Sequence, residues 1–260
     1  MSMRRALMAA FFCLVGSMGT IHAADATKNE FLLYCGITMV RPMTEIAQAF
    51  EKREGIKIVI TQGGSEDLYQ SAKKSGMGDW YLPGEPTYRD KHQAEGLFGD
   101  YAKVGYNQLA MVVQKGNPKQ VKNHPKELLR KDLVAIVGNA DSGSVGKETK
   151  DVLDQVGIYA QVMKAAGFLS PDSRSLMNSM KKKEADVAMN WRAVGFFPDN
   201  APFVDVIDLD PKLARPQALL LIQLKSTRNP ALARKFVDFT ASEEGQAIFR
   251  RHGFLDNKAL

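Results

Sequence analysis

At 260 residues, 45% of them hydrophobic and 25% charged, the chain is long enough to bury a core in one large domain or two lobes. Its formal charge of +6 is a mild excess spread among acids. The one basic run, Lys181-Lys182-Lys183, is followed at once by Glu184 and Asp186, which excludes a nucleic-acid-binding reading.

Residues 1–23 read as a secretory leader. Arg4 and Arg5 form its basic start, 6–15 its apolar stretch and 21–23 its cleavage region, with cutting after Ala23 or Ala24. The apolar run is too short to span a bilayer, and no other transmembrane candidate follows. An exported chain without Arg4 and Arg5 carries about +4 and keeps one cysteine, Cys35, so it has no internal disulfide and relies on its core.

Residues 31–34 are an apolar run of the kind a buried strand needs. The small-residue turn 35–38 follows, and then Met39, Met43, Ile46, Ala47 and Phe50 recur at helical spacing. Thr38 stands where an N-cap would be, and Pro42 lies in the first turn, where its missing N–H costs little. The pattern repeats in strand 56–61, turn 62–65 (Gln-Gly-Gly-Ser, with Ser65 the second N-cap candidate) and helix 66–74. A short strand within 78–84 ends in a Pro-Gly turn, and 87–95 is helical. Strand 108–114 leads through a polar connector to strand 133–137. The loop 138–146 then opens a helix over 147–156, the third small-residue turn before a helix. Helices over 159–166 and 173–183, a strand over 185–191 ending at Trp191-Arg192, strands over 203–209 and 218–224, and helices over 230–241 and 243–252 complete the chain.

This alternation predicts an α/β architecture of two lobes, each a mostly parallel sheet flanked by helices. Crossovers near 105–114 and 204–209 divide it into a discontinuous first lobe, 24–107 plus 205–260, and a second lobe, 108–204. A helix start at the carboxyl end of a parallel strand presents unpaired N–H groups and partial positive charge, so each turn is a ready anion site. Each is also readable as an ordinary strand-to-helix turn with a capping hydroxyl. Two consecutive turns that both end in a hydroxyl residue favour a shared site. The histidines, His22, His92, His124 and His252, stand outside the three turns, and no nucleophile triad, zinc motif or dinucleotide fingerprint occurs. An enzyme is therefore not expected, nor a cofactor or metal site.

At these turns the chain resembles periplasmic solute-binding proteins of the type II fold, and most of all the molybdate-binding family of ABC importers. The resemblance covers nearly the whole exported chain. It rests on Cys35-Gly36-Ile37-Thr38 followed by Glu45-Ile46-Ala47-Gln48-Ala49-Phe50-Glu51, on Gly63-Gly64-Ser65, and on Ser144-Val145-Gly146. Glu184-Ala185-Asp186 running to Trp191 and the closing Ser242–Phe249 and Gly253-Phe254 segments continue it in order. The resemblance implies a periplasmic, monomeric receptor that closes on a small anion, with a molybdate- or tungstate-like oxyanion favoured, and hands it to a permease; the alternative is the same fold binding sulfate, a phosphate or phosphonate, or an organic carboxylate, as a sensor instead of a transport component. A metal oxyanion would then be ligand, not resident metal. It implies anion contacts from Thr38, Ser65, Val145 with neighbouring Ser144, and Ser173.

The chain departs from the family in three places. Trp191 stands for a site tyrosine, Arg192 follows where small or polar residues are usual, and Arg41 lies one turn past Thr38. An arginine facing the cleft would suit a carboxylate or phosphorus oxyanion. Arg192 is equally readable as half of a structural ion pair, and Arg174 as a surface residue. Tyr81, Glu85, Tyr88 and Arg89 are placed either at the cleft entrance or in plain loop packing, and Cys35 as a small buried strand end.

Overall fold

A computed structural model describes residues 29–256; the expected leader and its cleavage point lie outside the described residues. The chain runs β1 (Glu30–Gly36), α1 (Val40–Glu54), β2 (Lys57–Gly63), α2 (Ser65–Ser75), β3 (Trp80–Leu82) and α3 (Thr87–His92). The long strand β4 (Phe98–Asn107) then passes through Gln108 alone into β5 (Leu109–Gln114). Next come β6 (Ala135–Gly138), α4 (Ser144–Val156), α5 (Tyr159–Ala165), β7 (Phe168–Ser170), α6 (Ser173–Lys181) and β8 (Val187–Trp191). Finally β9 (Val204–Asp208), β10 (Gln217–Leu224), α7 (Pro230–Ala241) and α8 (Glu243–Arg251) close the chain.

Two five-stranded sheets result, ordered β2-β1-β3-β10-β4 and β7-β6-β8-β5-β9. The expectation of mostly parallel sheets needs qualification. In the first sheet β1 pairs parallel with β2 and β3, whereas β10 pairs antiparallel with both β3 and β4. In the second, β6 pairs parallel with β7 and β8, and β5 runs antiparallel to both β8 and β9. Each sheet is therefore mixed, with four strands sharing a direction and one reversed. The reversed strand, β10 or β5, is the one that brings the chain in from the other lobe. It starts at the cleft, where its neighbours end.

Three differences from the sequence expectation have physical causes. Strand β4 was not foreseen because Gly99, Asp100, Lys103 and Gly105 break its apolar pattern. Strand β7 is a three-residue edge with exposed Phe168 and Leu169, too short to show periodicity. β9 pairs with β5, so the chain re-enters the first sheet at Gln217 and not at residue 205.

Helix α1 buries Met43, Ile46, Ala47 and Phe50 against the first sheet and α7, the face its spacing predicts. It ends at Gly55, whose φ of +68° suits glycine at a left-handed cap. Beneath the sheet Trp80 packs between Phe31 at 5.6 Å and Phe236 at 4.4 Å, and its indole N–H donates to the Ala233 carbonyl at 3.0 Å. Phe236 also meets Phe50 edge-on at 5.1 Å. Truncating this fully buried ring leaves a cavity that its neighbours cannot fill. Phe236→Ala is expected to lower unfolding stability by about 3–5 kcal/mol, read as a lower urea midpoint with unchanged slope; a loss under about 1 kcal/mol would show that the ring is not a keystone of this core.

Candidate functional site

Four helix starts border one small space between the lobes. The first lobe supplies the Ile37–Met39 3₁₀ turn leading into α1, and the start of α2; the second supplies the starts of α4 and α6. Gly84 and Trp191 complete the wall. The space is about 20 Å³, against roughly 10–15 Å³ needed for one water by a comparable measure, so it suits a compact polyatomic ion and not a large organic molecule.

The capping pattern differs among these helices. Asp172, Asn229 and Ser242 cap α6, α7 and α8 by accepting from the N–H groups of Ser175, Leu232 and Gly245. The starts of the 3₁₀ turn, α2 and α4 have Gly36, Gly64 and Gly143 at the cap position and no side-chain cap. In α2 the first helical bond is Leu68 N–H to the Gly64 carbonyl, and in α4 it is Lys147 N–H to the Gly143 carbonyl. The N–H groups of Ser65, Ser144 and Val145 precede those bonds and have no helical acceptor. In α6 the Asp172 cap leaves the Ser173 N–H in the same position.

The hydroxyls do not cap, contrary to the sequence expectation for Thr38 and Ser65. Thr38 is buried at 5% exposure, and its hydroxyl makes no hydrogen bond among the described residues. Ser65 is the first residue of α2, and its Oγ accepts from the Gly84 N–H at 3.0 Å, so its own proton stays available. The Ser144 hydroxyl, which also has no partner among the described residues, lies against Gly84. Ser173 differs: its hydroxyl donates to Asn190 Oδ1 at 2.7 Å, and it offers the space its backbone N–H alone. Trp191, 1% exposed, lines the space, and its indole N–H meets no acceptor among the described residues.

Buried groups behind this wall hold it in place. Asn190 accepts from Ser173 Oγ and the Trp191 N–H and donates to the Ser173 carbonyl, tying α6 to β8. The Tyr81 hydroxyl donates to the Ser65 carbonyl at 2.9 Å, and burial pushes its ionisation well above the usual phenol range, so it stays a donor. Cys35 is fully buried and its Sγ leans on the Gly36 carbonyl; burial pushes its thiol far up, which leaves a neutral packing residue.

The lobes touch closely around the space. A Cβ on Gly84 would lie 2.1 Å from Ser144 Oγ, and one on Gly64 would lie 2.6 Å from the Ser142 carbonyl oxygen. On one rim Arg41 pairs with Asp199 at 2.6 Å and stacks on Phe197. On the other, Arg174 donates to Gln62 Oε1 at 2.8 Å, and Lys147 stands 3.8 Å from buried Glu85. A second cavity of about 180 Å³ adjoins the first, sharing Ile37, Thr38 and Ser173 with it and lined further by Arg41, Arg174 and Lys181.

The structure thus gathers Thr38, Ser65, Ser144, Val145, Ser173 and Trp191 around one space, with Arg41 at the adjoining cavity. Arg192 is not among them. Its guanidinium bonds Asp208 at 2.9 Å and the Gly253 carbonyl and covers Phe196, the structural-pair alternative. Arg89 stacks on Tyr101 away from the cleft, while Glu85 and Tyr88 line a rim cavity with Lys147. The sequence reading took Gly84 only as part of a turn and did not single out Asn190. A glycine after proline marks only a turn, and an asparagine inside a strand carries no spacing signal.

A family model described as "Bacterial extracellular solute-binding protein" matches residues 31–255. The molybdate-binding protein ModA of Mycobacterium tuberculosis is 22% identical over 243 residues, covering 87% of this chain and 84% of that protein. Three solved structures are similar in fold. The periplasmic molybdate-binding protein of Azotobacter vinelandii has TM-score 0.71 and 16% identity, over 86% of this chain and 98% of that one. The sulfate-binding protein SubI of M. tuberculosis has TM-score 0.75 and 15% identity, over 87% and 86%. L-phospholactate-bound PEB3 has TM-score 0.68 and 16% identity, over 87% and 100%. At such identities the likeness shows the two-lobed fold and no more.

Two predictions follow from the lobe contacts. Gly84→Ala, whose backbone is not left-handed, is expected to fold normally but to wedge the lobes apart; small-angle scattering should give a larger radius of gyration than the parent, and identical curves would refute the wedge. Glu148 on α4 accepts from Gln217 Nε2 at 3.1 Å, and burial pushes its carboxyl up to about 7. The folded state keeps a proton there that the unfolded chain loses near pH 4.3, so stability falls as pH rises from about 4.5 to 7 and then levels. Glu148→Gln is expected to remove that decline, on the order of 3–4 kcal/mol, in melts between pH 4 and 8; an unchanged slope would refute it.

Proposed function

Because the chain belongs to the family of bacterial extracellular solute-binding proteins, which bind their solutes without transforming them, we propose that it captures a small tetrahedral oxyanion between its lobes and delivers it to an ABC importer. It acts in the periplasm as a monomer, released from its leader after Ala23 or Ala24. Closure is a hinge motion, and the anion supplies the free energy that favours the closed arrangement.

The observation that carries this reading is the set of three glycine-started turns without side-chain caps, joined by the capped start of α6. Each uncapped start contributes roughly half a positive charge, and α6 adds its Ser173 N–H, so the opposed starts favour an anion without a formal countercharge. The Thr38, Ser65 and Ser144 hydroxyls and the Trp191 indole N–H add charge-assisted donors. The lining offers donors almost exclusively; its one carboxylate, Asp172, is engaged with Ser175 N–H. An anion that carries no proton of its own fits such a lining better than monohydrogen phosphate, which needs an acceptor. Molybdate and tungstate are the favoured free ions, in line with the molybdate-binding relatives. Sulfate, phosphonate and small organic acids are the alternatives.

Native mass spectrometry and calorimetry of the mature protein against these oxyanions and small organic acids are expected to give one 1:1 adduct without turnover. Ser144→Ala should weaken that binding by about ten- to a hundredfold, the effect of losing one hydrogen bond to a charged group. If no oxyanion or organic acid bound or shifted the melting temperature, the proposal would fail.

A further inference from the structure

The cavity beside the oxyanion space is more cationic than a bare oxyanion requires. Arg41, Arg174 and Lys181 all line it, against Asp199 alone among carboxylates. Asp199 is shared: one oxygen takes Arg41 at 2.6 Å and the other stands 3.8 Å from Lys181 Nζ. Arg174 meets no carboxylate among the described residues, its bond going to the neutral amide of Gln62. Two positive charges are thus left uncompensated at the mouth of a site whose inner part already matches a dianion. Thr38, buried and without a hydrogen-bond partner among the described residues, lines both cavities and joins them.

We infer that Arg41, Arg174 and Lys181 form a second anion subsite, and that the protein takes a small phosphate monoester or phosphonate bearing a carboxylate, with the oxyanion head among the helix starts and the carboxylate in the basic cavity. The inference rests on the oxyanion reading of the inner site. The chemistry of the inner wall is consistent with it. A phosphomonoester is largely a dianion at neutral pH, its second ionisation lying near 6, and the oxygen that would carry a proton in monohydrogen phosphate carries the arm instead. At about 180 Å³ the cavity falls below the roughly 300–1,000 Å³ of drug-sized pockets, so the arm has few atoms. Asn178 and Asn200 at the wall can hold a hydroxyl on it. Arginine suits the carboxylate because its planar fork binds both oxygens together.

Calorimetry on the mature protein with four probes tests this: molybdate, sulfate, ethyl phosphate, and 2-phosphoglycolate, which adds a carboxylate to a two-carbon phosphomonoester. The expected result is that 2-phosphoglycolate binds at least tenfold tighter than ethyl phosphate. Arg174→Gln, an exposed and structurally tolerant change, should remove most of that difference while altering binding of the armless anions less than about twofold. Equal affinity for the two phosphomonoesters, or a uniform effect of Arg174→Gln on every probe, would overturn the second subsite while leaving the oxyanion reading intact, since a residue that only latches the lobes acts on all ligands alike. Binding of none of the four probes would overturn both. Lys181→Gln provides an independent second variant with the same selective loss expected, because Lys181 and its partner Asp199 lie on one lobe and their pairing does not bridge the cleft.

Discussion

Four helices begin around one point, two from each lobe, and their positive ends repel one another. Bringing the lobes together concentrates partial charge and unpaired N–H groups in a space from which water is largely excluded, which costs free energy unless an acceptor is enclosed. The contacts that oppose this cost are modest. Arg41–Asp199 is a half-exposed pair, and such pairs contribute about 1 kcal/mol or less. An anion in the centre reverses the sign of the problem: each helix start that was a liability becomes a contact. The dependence of closure on ligand is thus built into how the helices are ended.

The sheets are arranged to deliver this convergence. Four strands in each sheet run toward the cleft, so the connections after β1, β2, β6 and β7 all emerge there and all turn directly into helices. One strand in each sheet runs the other way because the chain has to return. The passage from β4 to β5 takes a single residue, Gln108, whose side chain is tied to the Ala214 carbonyl on the second crossing. The two crossings are therefore held to each other and provide a narrow, continuous hinge.

Much of this could be read from the chain itself. Apolar runs followed by small polar turns and helical spacing located the starts of α1 and α2, and with them Thr38 and Ser65; the same pattern found the loop before α4 but began the helix at 147, three residues late, and Ser144 and Val145 came from the family resemblance. The role of those hydroxyls was not legible, since a serine before a helix signals a cap, and only the geometry shows the cap position occupied by glycine instead. Arg192 shows the opposite limit. Its type and its place after β8 suggested a ligand contact, but its direction is set by Asp208, sixteen residues away, through a pairing that no local pattern encodes. Strands β4 and β7 and the second crossing escaped for the same reason: pairing partners, not propensity, define them.

The glycine at the start of α4 has a consequence for how far this protein can be stabilised. Gly143 is in extended backbone that any residue adopts, and a Cβ there would meet only the Pro171 carbonyl oxygen, at 3.3 Å. Serine or aspartate at this position could cap α4, a change that commonly strengthens a helix by about 1 kcal/mol. Here the gain would come from a side chain competing with the ligand for the same N–H groups. Ordinary helix-cap optimisation, a dependable route to sturdier proteins, would act at this helix start as a built-in inhibitor.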